Sequence, residues 1–231
     1  MSDTMETSFW SLQKSWISPR KRAEWDHGKM QLESVTCSFN NKMHQRSGKR
    51  LTDLNVVLPD GAVEDFVWTW QGECIVQDHT LELLKSSSFS GFSVKPVQAR
   101  FMKSAESPPQ LWELVVTGWA GMAKAESGIH LDNLTCCPVC GLLGYTGLTH
   151  ADQLIDEGKW DGKDLFMVWP MPRYYFVTER VTRIIRENRL TGVDVVPVSE
   201  IKPTDGFGPG RLSYFMPQEL AKAFGEPLGI Y

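Results

Sequence analysis

The chain has 231 residues, of which 42% are hydrophobic and 23% charged, and its formal net charge is −4. That balance provides enough apolar side chain for a full core and excludes both disorder and a coiled coil. Mild acidity argues against nonspecific nucleic-acid binding, and an odd count of five cysteines argues against a disulfide scaffold.

In chain order, the segment Met1–Trp16 is polar and lacks the continuous apolar run of a secretory signal. The longest apolar runs, Leu165–Pro172 and Leu190–Val198, are too short to span a membrane, so a cytoplasmic protein is expected. Ser18-Pro19-Arg20-Lys21-Arg22 reads as a solvated basic loop. The first sixty or so residues show weak periodicity. A repeat then emerges: Cys74–Val97 aligns with Tyr175–Val198 at an offset of 101 residues. The alignment matches Val76 with Val177, Gly91 with Gly192, Val94 with Val195, Pro96 with Pro197 and Val97 with Val198. Upstream, Asp65-Phe66-Val67-Trp68 resembles Asp164-Leu165-Phe166-Met167.

Each copy predicts a strand, a short helix and a returning strand. The helices carry apolar residues at Leu81 and Leu84 in the first copy, and at Val181, Ile184 and Ile185 in the second, the spacing of one buried face. Gly91 and Gly192 suit a positive φ in the turn out of the helix. Between the copies, Val97–Lys103 and Leu111–Thr117 have strand composition, and Gly118–Gly128 reads as a loop or short helix. A short helix is expected around Ala151–Glu157, a loop over Pro203–Gly210 and a final helix over Pro217–Phe224. The expectation is a single α+β domain over 1–231: a mixed sheet with short helices, and two similar strand–helix–strand units flanking a CxxC knuckle. A weaker internal division separates 1–103 from 104–231, which carries the knuckle.

Catalytic signatures are missing. There is no G-x-S-x-G elbow, H-E-x-x-H pair or Walker A loop, and no two histidines stand at ligand spacing. His130, His150 and Asp152 are the residues an unrecognised active site would need to assemble. The strongest chemical signal is Cys137-Pro138-Val139-Cys140-Gly141, in which proline presets φ and glycine lets the turn bring the second thiolate to a metal. A structural zinc needs four ligands. Cys37 stands where a second such turn would begin, but Asn40 and Asn41 follow in place of Cys and Gly. The candidate metal residues are therefore Cys137, Cys140 and Cys37, completed by His44, Cys136 or His150. The competing reading, a vestigial turn without zinc, is preferred here. Cys74 reads as a core thiol.

These motifs together resemble the double-CxxCG motif family of myxobacteria and related bacteria, associated with Sit-type toxin–immunity loci. The resemblance runs from about Ser34 to Ile201. It is carried by Asp164-Leu165-Phe166, Tyr175 to Val181, Leu190 to Val193, Pro108-Pro109-Gln110-Leu111-Trp112-Glu113-Leu114 and the Cys137–Gly141 turn. The chain departs from the family at the first CxxCG, which keeps only Cys37. The resemblance implies a non-enzymatic immunity protein that binds and neutralises a cognate protein toxin. The candidate contact loops, read from their composition, are Gly118–Gly128 and Thr204–Arg211, with Trp119 and Phe207 as anchors. The alternative is a zinc-ribbon-like regulatory or nucleic-acid-associated module using Arg20-Lys21-Arg22.

Overall fold

In the computed structural model, which describes residues 8–15, 22–131, 137–202, 206–207 and 210–231, the two repeated units occupy two separate sheets. The strands are β1 (Phe9–Lys14), β2 (Glu24–Trp25), β3 (Leu32–Val35), β4 (Arg46–Arg50), β5 (Leu54–Leu58), β6 (Phe66–Trp68), β7 (Cys74–Gln77), β8 (Phe92–Phe101), β9 (Leu111–Val116), β10 (Gly118–Met122), β11 (His130–Leu131), β12 (Gly144–Thr146), β13 (Leu165–Trp169), β14 (Tyr175–Thr178), β15 (Val193–Pro197) and β16 (Gly206–Phe207). The helices are α1 (Asp78–Ser86), α2 (Glu179–Glu187) and α3 (Gln218–Gly225). The architecture is α+β with mixed sheets and short helices.

The repeat is structural. β6–β7–α1–β8 and β13–β14–α2–β15 follow the same order, and α1 and α2 begin and end 101 residues apart. Ser88 and Arg189, also 101 apart, share a left-handed backbone after their helices, with φ of 55° and 52°. In each sheet a strand from outside the unit lies between two of the unit's own strands. β9 lies antiparallel between β7 and β8, and β1 lies antiparallel between β14 and β15. Their registers match: Trp10 faces Pro197 as Trp112 faces Pro96, and Leu12 faces Tyr175 as Leu114 faces Cys74. β1 and β9 are therefore a further repeated pair, each sitting in the sheet of the unit that it does not directly precede.

The two sheets meet through reciprocal backbone contacts, as across a two-fold axis. Leu165 N donates to Ser90 O at 3.0 Å, and Phe66 N donates to Thr191 O at 3.0 Å. The matched glycines sit at these crossings. A Cβ on Gly91 would collide with the Leu165 carbonyl oxygen, and one on Gly192 with the Phe66 carbonyl oxygen. Both have positive φ, as the sequence leads one to expect. The turn out of each helix, however, is made by Ser88 and Arg189, and the glycines serve the close approach of one unit to the other.

Equivalent helical positions turn inward. Thr80, Leu81 and Leu84 of α1 are buried, as are Val181, Thr182 and Ile185 of α2. Threonine and the aliphatic residue have exchanged places in the first buried pair, and Ile184 is only partly buried. These faces join Leu12, Phe66, Leu114, Leu165, Trp169 and Val177 in the largest core, which draws on both sheets.

Four local expectations need correction. Gly118–Met122 is β10, paired parallel with β13, instead of a loop or helix. Trp119 is buried and stacked on Phe224 with ring centroids 5.6 Å apart, so it is a core residue and not an exposed anchor. The segment around Ala151–Glu157 forms two 3-10 turns, Ala151–Gln153 and Glu157–Lys159, in place of one helix. The final helix starts at Gln218, with Pro217 as its N-cap residue. Arg20, Lys21, Cys136 and Thr204 lie outside the described residues, and of Phe207 only the backbone is described.

Candidate metal centre

The metal-ligand candidates converge on two loops that are far apart in sequence. Cys37 and His44 belong to the connection between β3 and β4, an antiparallel hairpin held by pairs such as Val35 with Arg46. Within that connection Asn40 makes a tight turn. Its side-chain oxygen accepts from Met43 N at 3.1 Å, and its carbonyl accepts from His44 N at 3.1 Å. Asn40 thus folds the loop in place of ligating, and the fold it imposes returns His44 to the side of Cys37.

The second loop is the Cys137–Gly141 knuckle. Gly141 N donates to Cys137 O at 2.8 Å, Cys137 N donates to Leu142 O at 2.8 Å, and Gly141 takes φ +71°, which glycine alone adopts without strain. Two arginines hold the outer carbonyls. Arg46 Nη2 donates to Cys140 O at 2.7 Å, and Arg211 Nη2 donates to Val139 O at 2.9 Å. Arg46 follows His44 by two residues, so a single hairpin supplies both a ligand and a clamp.

One ligand atom from each of Cys37, His44, Cys137 and Cys140 lies within 4.8 Å of the others, and no other such group is present among the described residues. Cys37 Sγ is 3.6 Å from Cys137 Sγ, and Cys140 Sγ is 3.8 Å from His44 Nδ1. A tetrahedral zinc with bonds to sulfur of about 2.3 Å requires sulfur–sulfur edges of about 3.8 Å. The three thiols are buried, and the set contains three soft donors and one imidazole with no open position, the composition of a structural rather than a catalytic site. The residues fit a possible metal site. They would hold the ion as Cys37, His44, Cys137 and Cys140, and the bound ion would contribute a crosslink and no reaction.

The electrostatics agree. Burial pushes the Cys137 thiol up, but N–H groups of Cys140 and Val139 together with Cys37 and His44 outweigh it and draw it down to about 6. Burial is also the largest effect on Cys37, whose thiol is pushed up overall. Cys74 is fully buried in β7, where its thiol is pushed well up by burial, and it takes no part in the centre.

Among the described alternatives for the fourth ligand, His44 is the one brought in. His150 is exposed beside the 151–153 turn, and His130 is exposed in β11. Neither joins a metal-type cluster with Asp152, whose carboxylate accepts from Gln153. Arg22, the described end of the basic segment, lies 4.5 Å over the Trp70 ring. The chain matches no known protein-family model and none of the curated proteins.

Proposed function

We propose that the chain is a non-catalytic protein-binding protein whose Cys37–His44–Cys137–Cys140 centre takes a structural zinc, and that its partner is a cognate protein toxin neutralised in the cytoplasm. The observation that carries this reading is the closed donor set joining two loops whose outward tips are apolar. Phe39, Met43 and Val139 are 79%, 80% and 50% exposed, and all three lie within the two ligating loops. A metal crosslink there would pre-order an apolar contact patch and so reduce the entropic cost of docking. The resemblance to immunity proteins supplies the kind of partner.

Two measurements test this. Elemental analysis of purified protein is expected to give one zinc per chain, lost in Cys137→Ser. Co-purification with the product of the adjacent open reading frame is expected to succeed for the native chain and fail for a Phe39→Ser, Met43→Ser double variant that retains zinc. Absence of zinc removes the structural-metal reading. Absence of both binding and protection of cells expressing the neighbour removes the immunity reading.

A further inference from the structure

We propose that the cleft between the β3–β4 hairpin and the Pro170–Arg173 turn is a binding site for a small organic anion bearing a phosphate or carboxylate head on a planar ring. The cleft has a volume of about 530 Å³, inside the range of roughly 300–1,000 Å³ typical of small-ligand sites. It adjoins the thiol centre, with which it shares Arg46, but contains none of the four thiol-centre ligands and does not depend on the function proposed above.

The charge of its wall is opposite to that of the chain. Arg46, Lys49, Arg50, Lys95 and Arg173 line it, against only two carboxylates, Glu73 and Glu113. Five cations and two anions leave an excess of three positive charges, within a chain of net charge −4. Concentrating cations in a concave, partly apolar cleft focuses a potential that attracts anions.

Both carboxylates stand behind arginines and hold them in place, although Glu73 Oε1 meets Arg173 and Arg50 only as ion-pair partners and makes no hydrogen bond among the described residues. Glu73 is buried, accepting from Trp25 Nε1 at 3.2 Å and from Thr69 Oγ1, while Arg173 Nη2 approaches its other oxygen at 2.9 Å. Arg50 pairs with Glu113 and places Nη1 4.0 Å from Glu73. Two guanidiniums are thereby fixed from behind, with further N–H groups available, the preorganised arrangement that suits a carboxylate or phosphate. Arg46 Nη1 is buried with no hydrogen-bond partner among the described residues, a donor that calls for an acceptor. Lys95 adds an ammonium at the solvent edge, on an exposed position of β8.

The remaining wall suits a ring. Trp25, Tyr175, Tyr214 and Phe215 line the cleft, and the Arg173 guanidinium lies 4.9 Å over the Phe215 ring. A flat ligand can stack along this aromatic side with its head at the arginines.

Calorimetric titration of the full chain with AMP, benzoate, inorganic phosphate and adenosine tests the proposal. Saturable one-to-one binding of AMP or benzoate is expected, with adenosine at least about tenfold weaker than AMP, and Lys95→Glu should weaken the bound anion about tenfold. Lys95 faces Glu113 across the β8–β9 pair, so Lys95→Gln, which removes the cation without opposing two carboxylates, serves as a second variant. It should also weaken the anion while its thermal midpoint matches the native protein. Binding of AMP without benzoate assigns a phosphate head, and the converse assigns a carboxylate. The proposal is overturned if neither anion binds at about 10 mM, which corresponds to only a few kcal/mol. It is equally overturned if adenosine equals AMP, if inorganic phosphate alone binds as tightly as AMP, or if Lys95→Glu changes nothing.

Discussion

Asp164 accepts two hydrogen bonds from Ser90, at 3.0 Å from its backbone N–H and 3.1 Å from its hydroxyl, although the two residues belong to different repeated units. The reciprocal contact is present too: Thr191, the counterpart of Ser90, donates to Asp65 from its N–H at 2.7 Å and its hydroxyl at 2.8 Å. The flanking side chains correspond as well, since His79 contacts Asp65 and Arg180 pairs with Asp164, 101 residues apart. Each unit thus locks the other by the same device.

Asp164 is the more buried carboxylate and also accepts from Thr178 Oγ1 at 3.0 Å. Asp164→Ala would strand the Ser90 donors and is expected to cost about 2–3 kcal/mol in urea unfolding. A change within error of zero would mean that the lock is dispensable.

Asp65 has a pH signature. Burial pushes its carboxyl up, but hydrogen bonds from Thr191 and the His79 contact outweigh this and leave it below the usual carboxylate range. A depressed folded value means that the stabilisation is present above about pH 4 and is lost as pH falls through the folded value. Stability measured from pH 6 downward should therefore decline in the acid range, and Asp65→Asn should show a shallower decline. Parallel curves for the two proteins would refute the assignment.

The crossing glycines should be intolerant of a methyl group. Gly91→Ala and Gly192→Ala each combine a positive φ with a Cβ driven into a carbonyl oxygen of the other unit. Each is expected to destabilise by more than about 2 kcal/mol. Gly61→Ala also has positive φ, but its Cβ would meet open space, and it should cost about 1 kcal/mol. Equal losses at all three positions would show that backbone strain alone, without the close approach, sets the cost.

Tryptophan truncation separates core from surface. Trp119→Ala removes a buried ring stacked on Phe224 and should cost about 3–5 kcal/mol. Trp70 is 58% exposed, with Arg22 over its face, and Trp70→Ala should cost below about 1 kcal/mol. Thermal denaturation of both variants measures the contrast, and a small effect at Trp119 would return it to the list of surface anchors.

Chelation of the proposed zinc should loosen the ligating loops without unfolding the sheets. The thiol cluster is a satellite of the main core, which draws on both units independently of it. Far-ultraviolet circular dichroism is expected to persist after chelation while proteolysis appears within the connection between β3 and β4. Global loss of structure would show that the metal supports the whole fold.

The repeat was legible where strand, helix and glycine recur without a gap, from Cys74 and from Tyr175. Its extension to β1 and β9 was not. Only Trp10 with Trp112 and Leu12 with Leu114 match along the aligned start of these strands, and their offset shifts by one residue. No local pattern reports that a strand pairs in the distant sheet. The Cys137–Gly141 turn was readable because its geometry is local. His44 was harder to assign because its approach depends on the Asn40 turn, where an asparagine replaces the expected ligand and shapes the loop. Trp119 was misjudged because the small residues around it resemble a loop, whereas they permit β10 to pack closely against β13.

The exchange of β1 and β9 also constrains how the polypeptide matures on the ribosome. Phe9–Lys14 is made early, yet its neighbours Tyr175–Thr178 and Val193–Pro197 follow more than 150 residues later. At about 5–20 residues per second, that strand waits roughly ten seconds or more for its place in a sheet. The first unit, by contrast, can receive β9 soon after its own strands are complete. Assembly is therefore expected to proceed from the middle of the sequence outward, with the amino-terminal strand docking among the last, during which time its apolar edge must be kept from other chains.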